Sequence, residues 1–314
     1  LNPLTAIYGG VVRARNVLYD RGILRARRLQ GAVISVGNLS AGGSGKTPFV
    51  ILVGELLKAR GIKFDVLSRG YGRKSKGVRL VDPAGLAQEF GDEPLLIARK
   101  LQVPVIVGED RYQAGRFAEA KFGPQLHLLD DGFQHRALFR DFDIVLVTPQ
   151  DASDRPLPSG RLREPLHSLR RADAVVLASG ASPESFPLEG KIIWRVRRGI
   201  LPQNIPLRPV VFCGIARPQN FVLQLRAANI DPIAEAFYRD HHAYTEKDIR
   251  ELLELKQRSE AGGFVTTEKD AVNLGGYLSA LAPLAVVPVK MDLTDAANAV
   301  DTILHKVGKQ KPQP

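Results

Sequence analysis

Along the chain, short apolar runs alternate with longer stretches whose apolar residues recur at helical spacing. Ala32 to Val36, Phe64 to Ser68, Val103 to Val107, Leu126 to Asp130, Ile144 to Val147 and Ala174 to Leu177 read as strands. The stretches from about Lys46 to Arg60, after Asp92 and from about Arg111 read as helices. Strands and helices that alternate in this way predict an α/β fold, a parallel sheet flanked by helices. Pro149 to Pro165 is rich in Pro, Gly, Asp and Arg and predicts a long surface loop of the kind that often carries function. Around Gly180 to Gly190 the composition turns to Ala, Ser, Pro and Gly, the mark of a domain boundary. Beyond it a second β/α series is expected, with strands at Pro209 to Cys213, Gly263 to Thr267 and Ala285 to Val289. Its helices are expected near Gln219 to Ala228, from Glu246 and from about Ala296, before a frayed polar end at Gly308 to Pro314. The expected division is residues 1–30, a large domain over 31–188 and a smaller α/β domain over 189–314.

The first thirty residues have their own pattern. Leu4, Ile7, Tyr8, Val11 and Leu18 recur at helical spacing, and Arg13, Arg15, Arg21, Arg25, Arg27 and Arg28 stand against a single acid, Asp20. This is a basic amphipathic helix. It suits either an interfacial helix, with its apolar face in the headgroup boundary, or a terminal helix docked on its own domain. Arg15 falls within the apolar arc and has to snorkel out of it.

Composition narrows the partners. The net charge of +11 favours something anionic: nucleotide phosphates, a phosphorylated substrate, an acidic membrane surface or nucleic acid. The low aromatic content and the lack of a recognition motif argue against nucleic acid. Cys213 is the only cysteine, which excludes an intramolecular disulfide and leaves a cysteine-based zinc site short of ligands. No apolar run is long enough to cross a bilayer, so a chain that does not span the membrane is expected.

The strongest local signal lies at Val33 to Thr47, a β-branched strand, a glycine-rich turn and Lys46-Thr47 at the head of a helix. This is the context of a P-loop. Ser40, Ala41, Gly42, Gly43, Ser44, Gly45, Lys46 and Thr47 form the predicted nucleotide-binding stretch. Backbone N–H groups and the helix N-terminus attract phosphate, Lys46 reaches the β/γ-phosphates and the Thr47 hydroxyl binds Mg²⁺. Ser40 stands where the usual pattern has its first glycine.

A P-loop also needs a carboxylate at the end of a neighbouring strand, and Asp130-Asp131 supplies it, followed by Gly132-Phe-Gln-His-Arg136. A second acidic pair, Asp92-Glu93, reads as a helix N-cap or as chemistry, two compatible roles. In the long loop either Arg161 or Arg163 can meet a transferring phosphoryl group, and Asp240-His-His-Ala-Tyr-Thr245 offers a general base or its orienting partner.

Taken together, Val36 to Pro48, Ser68-Arg-Gly-Tyr-Gly-Arg73, Gly91-Asp-Glu-Pro94, Asp130-Asp-Gly-Phe-Gln-His-Arg136, Gly160-Arg-Leu-Arg-Glu-Pro165, Phe212-Cys-Gly-Ile-Ala216, Asp240-His-His-Ala-Tyr-Thr245 and Thr266-Thr-Glu-Lys-Asp270 resemble the tetraacyldisaccharide 4'-kinase family. Its loop likewise lacks the first glycine. The resemblance implies transfer of the ATP γ-phosphate, with Mg²⁺, to the 4'-hydroxyl of an acylated glucosamine disaccharide 1-phosphate in lipid A biosynthesis. It also implies a peripheral position at the cytoplasmic face of the inner membrane and favours the interfacial reading of the first helix; no obligate protein partner is inferred. Asp92 is then the base on the sugar hydroxyl, helped by the histidine after Asp240, His241 rather than His242. Thr47, Glu93 and Asp130 serve the metal, Asp131 shares the strand end, and Lys46 and Arg163 neutralise the phosphoryl group. The alternative is a P-loop kinase or GTPase with a soluble acceptor, which leaves the basic helix unexplained.

Overall fold

The structure, a computed structural model, describes residues 3–309. The strands are β1 Ala32–Asn38, β2 Phe64–Ser68, β3 Arg79–Leu80, β4 Val105–Val107, β5 Leu126–Asp130, β6 Phe142–Val147, β7 Ala174–Ala178, β8 Ile192–Ile200, β9 Val210–Cys213, β10 Ala234–Phe237, β11 Phe264–Thr267, β12 Leu284–Val287 and β13 Val289–Leu293. The helices are α1 Pro3–Asp20, α2 Lys46–Ala59, α3 Ala87–Phe90, α4 Asp92–Leu101, α5 Arg111–Phe122, α6 Pro218–Ala227, α7 Glu246–Arg258, α8 Glu268–Leu274 and α9 Ala296–Lys309.

Among the described residues two sheets form, in the orders β13-β8-β7-β6-β1-β5-β2-β4-β3 and β10-β9-β11-β12. The smaller is wholly parallel, and the larger is parallel except for its edge pairs β13·β8 and β3·β4. β1, β2, β5 and β6 are buried along their whole length, as strands covered on both faces must be, which is why they read as apolar runs without alternation. One face packs Phe49, Val53 and Leu57 of α2 with Leu95 and Ile97 of α4, and the other packs Ala114 and Ala118 of α5. Local chemistry sets several boundaries. Asp110 caps α5 by accepting from the Tyr112 and Gln113 N–H groups, and Thr245 with Asp248 forms a capping box at α7.

Three differences from the sequence reading are physical. The smaller sheet is confined to residues 210–287, whereas β8, β13 and α9 belong to the large sheet and its core, so the chain returns to the layer it left. The apolar run Ala285 to Val289 is divided at Pro288, which has no N–H to give a ladder, and feeds both sheets. Gly308 and Lys309 lie in α9; the remainder of the expected frayed end, 310–314, is outside the described residues.

α1 docks by its polar side. Thr5, Val12 and Asn16 are buried, while Ile7 and Val11 are 63% and 64% exposed. Tyr8 Oη donates to the Arg163 carbonyl at 3.0 Å and Asn16 Nδ2 to Glu164 at 2.7 Å. Arg15 does not snorkel outward; it turns to the buried Glu164 at 3.5 Å.

Candidate functional site

A cleft of about 1520 Å³ opens at the carboxyl ends of β1, β2 and β5, where open α/β sheets take their ligands. Residues 41–47 of the glycine-rich loop form part of its wall. Gly42, Gly43 and Gly45 have φ of 68°, 72° and 85°, a conformation that a Cβ disfavours. Ser40 is absent from the positive-φ residues, so its position needs no glycine; it is buried beneath the loop and does not line the cleft. Asn38 Nδ2 ties the loop together, donating to the Ser40 carbonyl at 2.6 Å and to Ser44 Oγ at 2.7 Å.

The long loop straps itself over this turn. The Ala41 N–H donates to the Arg161 carbonyl at 2.8 Å, and the Arg161 guanidinium returns bonds to the Ala41 and Gly42 carbonyls. Arg161 therefore braces the loop, while Arg163 NH1 donates to both oxygens of Asp131 at 2.9 and 2.8 Å. Lys46 Nζ lies 3.6 Å from the same carboxylate. Burial opposes the charge of Asp131, but Lys46 and Arg163 outweigh it and hold the carboxyl below its ordinary range.

Asp130, one residue earlier, is in the opposite position. Burial, reinforced by Glu93 and Asp131, pushes it up to about 7. Ser68 Oγ donates to Oδ2 at 2.9 Å, and the buried Oδ1 has no partner. With the Thr47 hydroxyl at the first turn of α2 and Glu93 in the same cleft, it makes an all-oxygen donor set of the kind a small hard dication takes. Among the described residues no three His, Cys, Asp or Glu side chains cluster tightly enough to cage a metal. Mg²⁺ does not require such a cage, since it binds through one or two carboxylates, waters and substrate phosphates.

Across the cleft Asp92 opens α4. Its carboxylate accepts from the Glu93 N–H at 2.8 Å, from His241 Nδ1 at 2.9 and 3.0 Å and from Asn273 Nδ2 at 3.1 Å. Burial opposes its charge, yet His241 and Lys269 hold it below the usual range; burial likewise opposes the charge on His241, whose proton Asp92 favours. His242 is elsewhere, 3.1 Å from Asp248 and stacked on Tyr238. The sequence reading quoted Lys269 only within Thr266-Thr-Glu-Lys-Asp270 and gave it no role, and it missed Asn273; both arrive from α8.

Four further observations come from comparison with known proteins. A profile of the tetraacyldisaccharide-1-P 4'-kinase family matches residues 1–308. The chain belongs to that family. It is an ATP-dependent kinase that phosphorylates the 4'-position of a tetraacyldisaccharide 1-phosphate in lipid A biosynthesis. A tetraacyldisaccharide 4'-kinase of Koribacter versatilis is 50% identical over 321 residues, covering 99% of this chain and all of that one. The Aquifex aeolicus relative is 38% identical over 90% of this chain and 91% of its own. A crystal structure of LpxK from Aquifex aeolicus in complex with ATP superposes with a TM-score of 0.78 at 35% identity, covering 97% of this chain and 98% of that one.

Proposed function

We propose that Asp92 takes the proton of the acceptor hydroxyl while Lys46 and Arg163 hold the transferring phosphoryl group. The hydroxyl oxygen bonds to the γ-phosphorus, the bond to the bridging oxygen breaks, that oxygen leaves on ADP, and the hydroxyl proton passes to Asp92. The observation that carries this reading is the inventory of Asp92 contacts. Three donors hold the Asp92 carboxylate in place, His241 reaching both of its oxygens, and the residue so held lines the cleft. His241 orients the carboxylate and favours its ionised form. Asp131 aligns Lys46 and Arg163, which leaves Asp130, with its unpartnered Oδ1, as the metal carboxylate beside Thr47 and Glu93. Mg²⁺ bound there supplies positive charge to the β/γ-phosphates. Positioning and electrostatics account for the catalysis, as phosphoryl transfer requires.

For the acceptor, Tyr8, Val12 and Arg15 of α1 line the same cleft as Arg69 and Arg111. Arg111 is buried beside Arg69, and its guanidinium donates to the Glu109 carbonyl. The pair suits the anionic end of a phosphorylated sugar. Among the described residues no helix is long and apolar enough to cross a membrane. The outward apolar side of α1, with Ile23 64% exposed just beyond it, suits a lipid surface at the cytoplasmic face, where ATP and acceptor meet. A soluble acceptor leaves that face without a use.

Asp92→Ala is expected to lower kcat by about 10²–10⁴-fold while KM for ATP moves little. Turnover near that of the wild type would remove Asp92 from the mechanism. Replacing Ile7 and Val11 with glutamate is expected to weaken flotation with anionic vesicles, and undiminished flotation would refute the interfacial role of α1.

A further inference from the structure

The segment Thr266-Thr-Glu-Lys-Asp270 has no part in the assignments above, yet it reaches the reacting end of the cleft. Asp270 is buried and accepts from the Gly214 N–H at 2.6 Å, from Tyr244 Oη at 2.8 Å and from Thr267 Oγ1 at 2.5 Å. These bonds pin the start of α8 to the loop that carries Asp240 and His241. They also aim Lys269 at the α4 acids. Its Nζ is 3.2 Å from Asp240 Oδ1, 3.2 Å from His241 Nε2, 3.4 Å from Glu93 Oε1 and 3.8 Å from Asp92 Oδ2.

An ammonium has three N–H donors and no acceptor. In the neutral ring the nitrogen of His241 that faces it can only accept, and the ring hydrogen then sits on Nδ1. Nδ1 is the atom that faces Asp92. We propose that Lys269 is a positioning residue for phosphoryl transfer: it holds His241 in the Nδ1–H tautomer, so that an N–H and not a bare nitrogen meets the Asp92 carboxylate. The proposal rests on the reading of Asp92 and His241 as the base and its orienting partner. Without the ammonium the ring is free to move its hydrogen to Nε2. That turns a lone pair on Nδ1 against the carboxylate oxygens and lets Asp92 drift from the acceptor.

The test compares Lys269→Met, Lys269→Arg, His241→Ala and the double variant Lys269→Met/His241→Ala in the full-length enzyme. The readouts are kcat, KM for ATP and the ¹⁵N shifts of the His241 ring. Lys269→Met is expected to lower kcat about 100-fold, to leave KM for ATP within about threefold and to lose the Nδ1–H signature. Lys269→Arg, which can still donate to Nε2, is expected to keep that signature and recover most of kcat. It keeps the test decisive if Lys269→Met does not fold. Because Lys269 acts through the ring, the double variant is expected to be no slower than His241→Ala alone. Losses that multiply in the double variant, or an unchanged tautomer in Lys269→Met, would overturn the proposal. A crippled His241→Ala beside an undisturbed Lys269→Met would overturn this proposal and leave the Asp92–His241 reading standing. A His241→Ala variant with wild-type turnover would bring down that reading and the proposal with it.

Discussion

β2 and β5 lie side by side and carry two buried acid sites, one near each end. At the amino ends Asp65 faces His127, with Nδ1 at 2.9 and 3.0 Å from the two carboxylate oxygens and Nε2 at 3.5 Å from Glu119. Three positions further along each strand, Ser68 faces Asp130 and satisfies one oxygen only. Both sites are shut off from solvent, so burial does not separate them. The strand carboxylate does: both oxygens of Asp65 face His127 Nδ1, whereas one oxygen of Asp130 has no partner. The closed cluster ties strands together, whereas the open one keeps an acceptor that a packed core has no use for; burial raises the proton affinity of Asp65 and Asp130 alike. On the function proposed above, that open end is where a cation and phosphates are handled; the glycine loop, Lys46 and Asp131 gather beside it.

The contrast can be broken at either end. The largest effect is expected from Asp130→Asn, which should lower kcat by about 1000-fold with little loss of thermal stability, because the oxygen it alters supports no packing. A variant that melts much lower at unchanged turnover would reverse the assignment. Next comes His127→Leu, which leaves Asp65 buried and unpaired and is expected to destabilise the fold by about 3–5 kcal/mol in urea, with the kcat of the folded fraction retained. The smallest effect is one of pH. Burial opposes protonation of His127, but Asp65 and Glu119 overcome it and raise the affinity of the ring for its proton. A raised histidine contributes stability in full below its unfolded value of about 6.5 and loses it as pH rises through the folded value. The stability of the wild type should therefore fall above about pH 6.5 with a slope of up to about 1.4 kcal/mol per pH unit, and His127→Leu should flatten that slope. A slope that survives the substitution would place the proton elsewhere.

The parts of the site legible in the sequence are those written within one turn or strand end. Lys46 and Thr47 follow their glycines, Asp130 and Asp131 end a strand, and Asp92 begins a helix, so local spacing announces each of them. What escaped depends on pairs far apart in the chain. Lys269 meets Glu93 across 176 positions, and Asn273 meets Asp92 across 181. Ser40 looked like a nucleotide contact by its place in the motif, and only the fold shows it buried under the loop. The helical spacing of α1 was plain, yet periodicity gives the existence of an apolar face and not its direction. Thr5 and Asn16 decide that by bonding to Ser159 and Glu164 of the strap. The return of β13 to the large sheet was invisible for a similar reason, since its register with β8 is set by pairs such as Val289 with Ile200 and Leu293 with Val196, far apart in the chain.

The most direct test of the account is phosphate transfer from radiolabelled ATP with Mg²⁺ to a tetraacylated glucosamine disaccharide 1-phosphate in mixed micelles, with Lys46→Ala and Asp130→Asn run beside the wild type. The account predicts labelled lipid from the wild type and almost none from either variant. Labelled lipid from both variants at wild-type rates, or ATP consumption by the wild type with no label in the lipid, would contradict it.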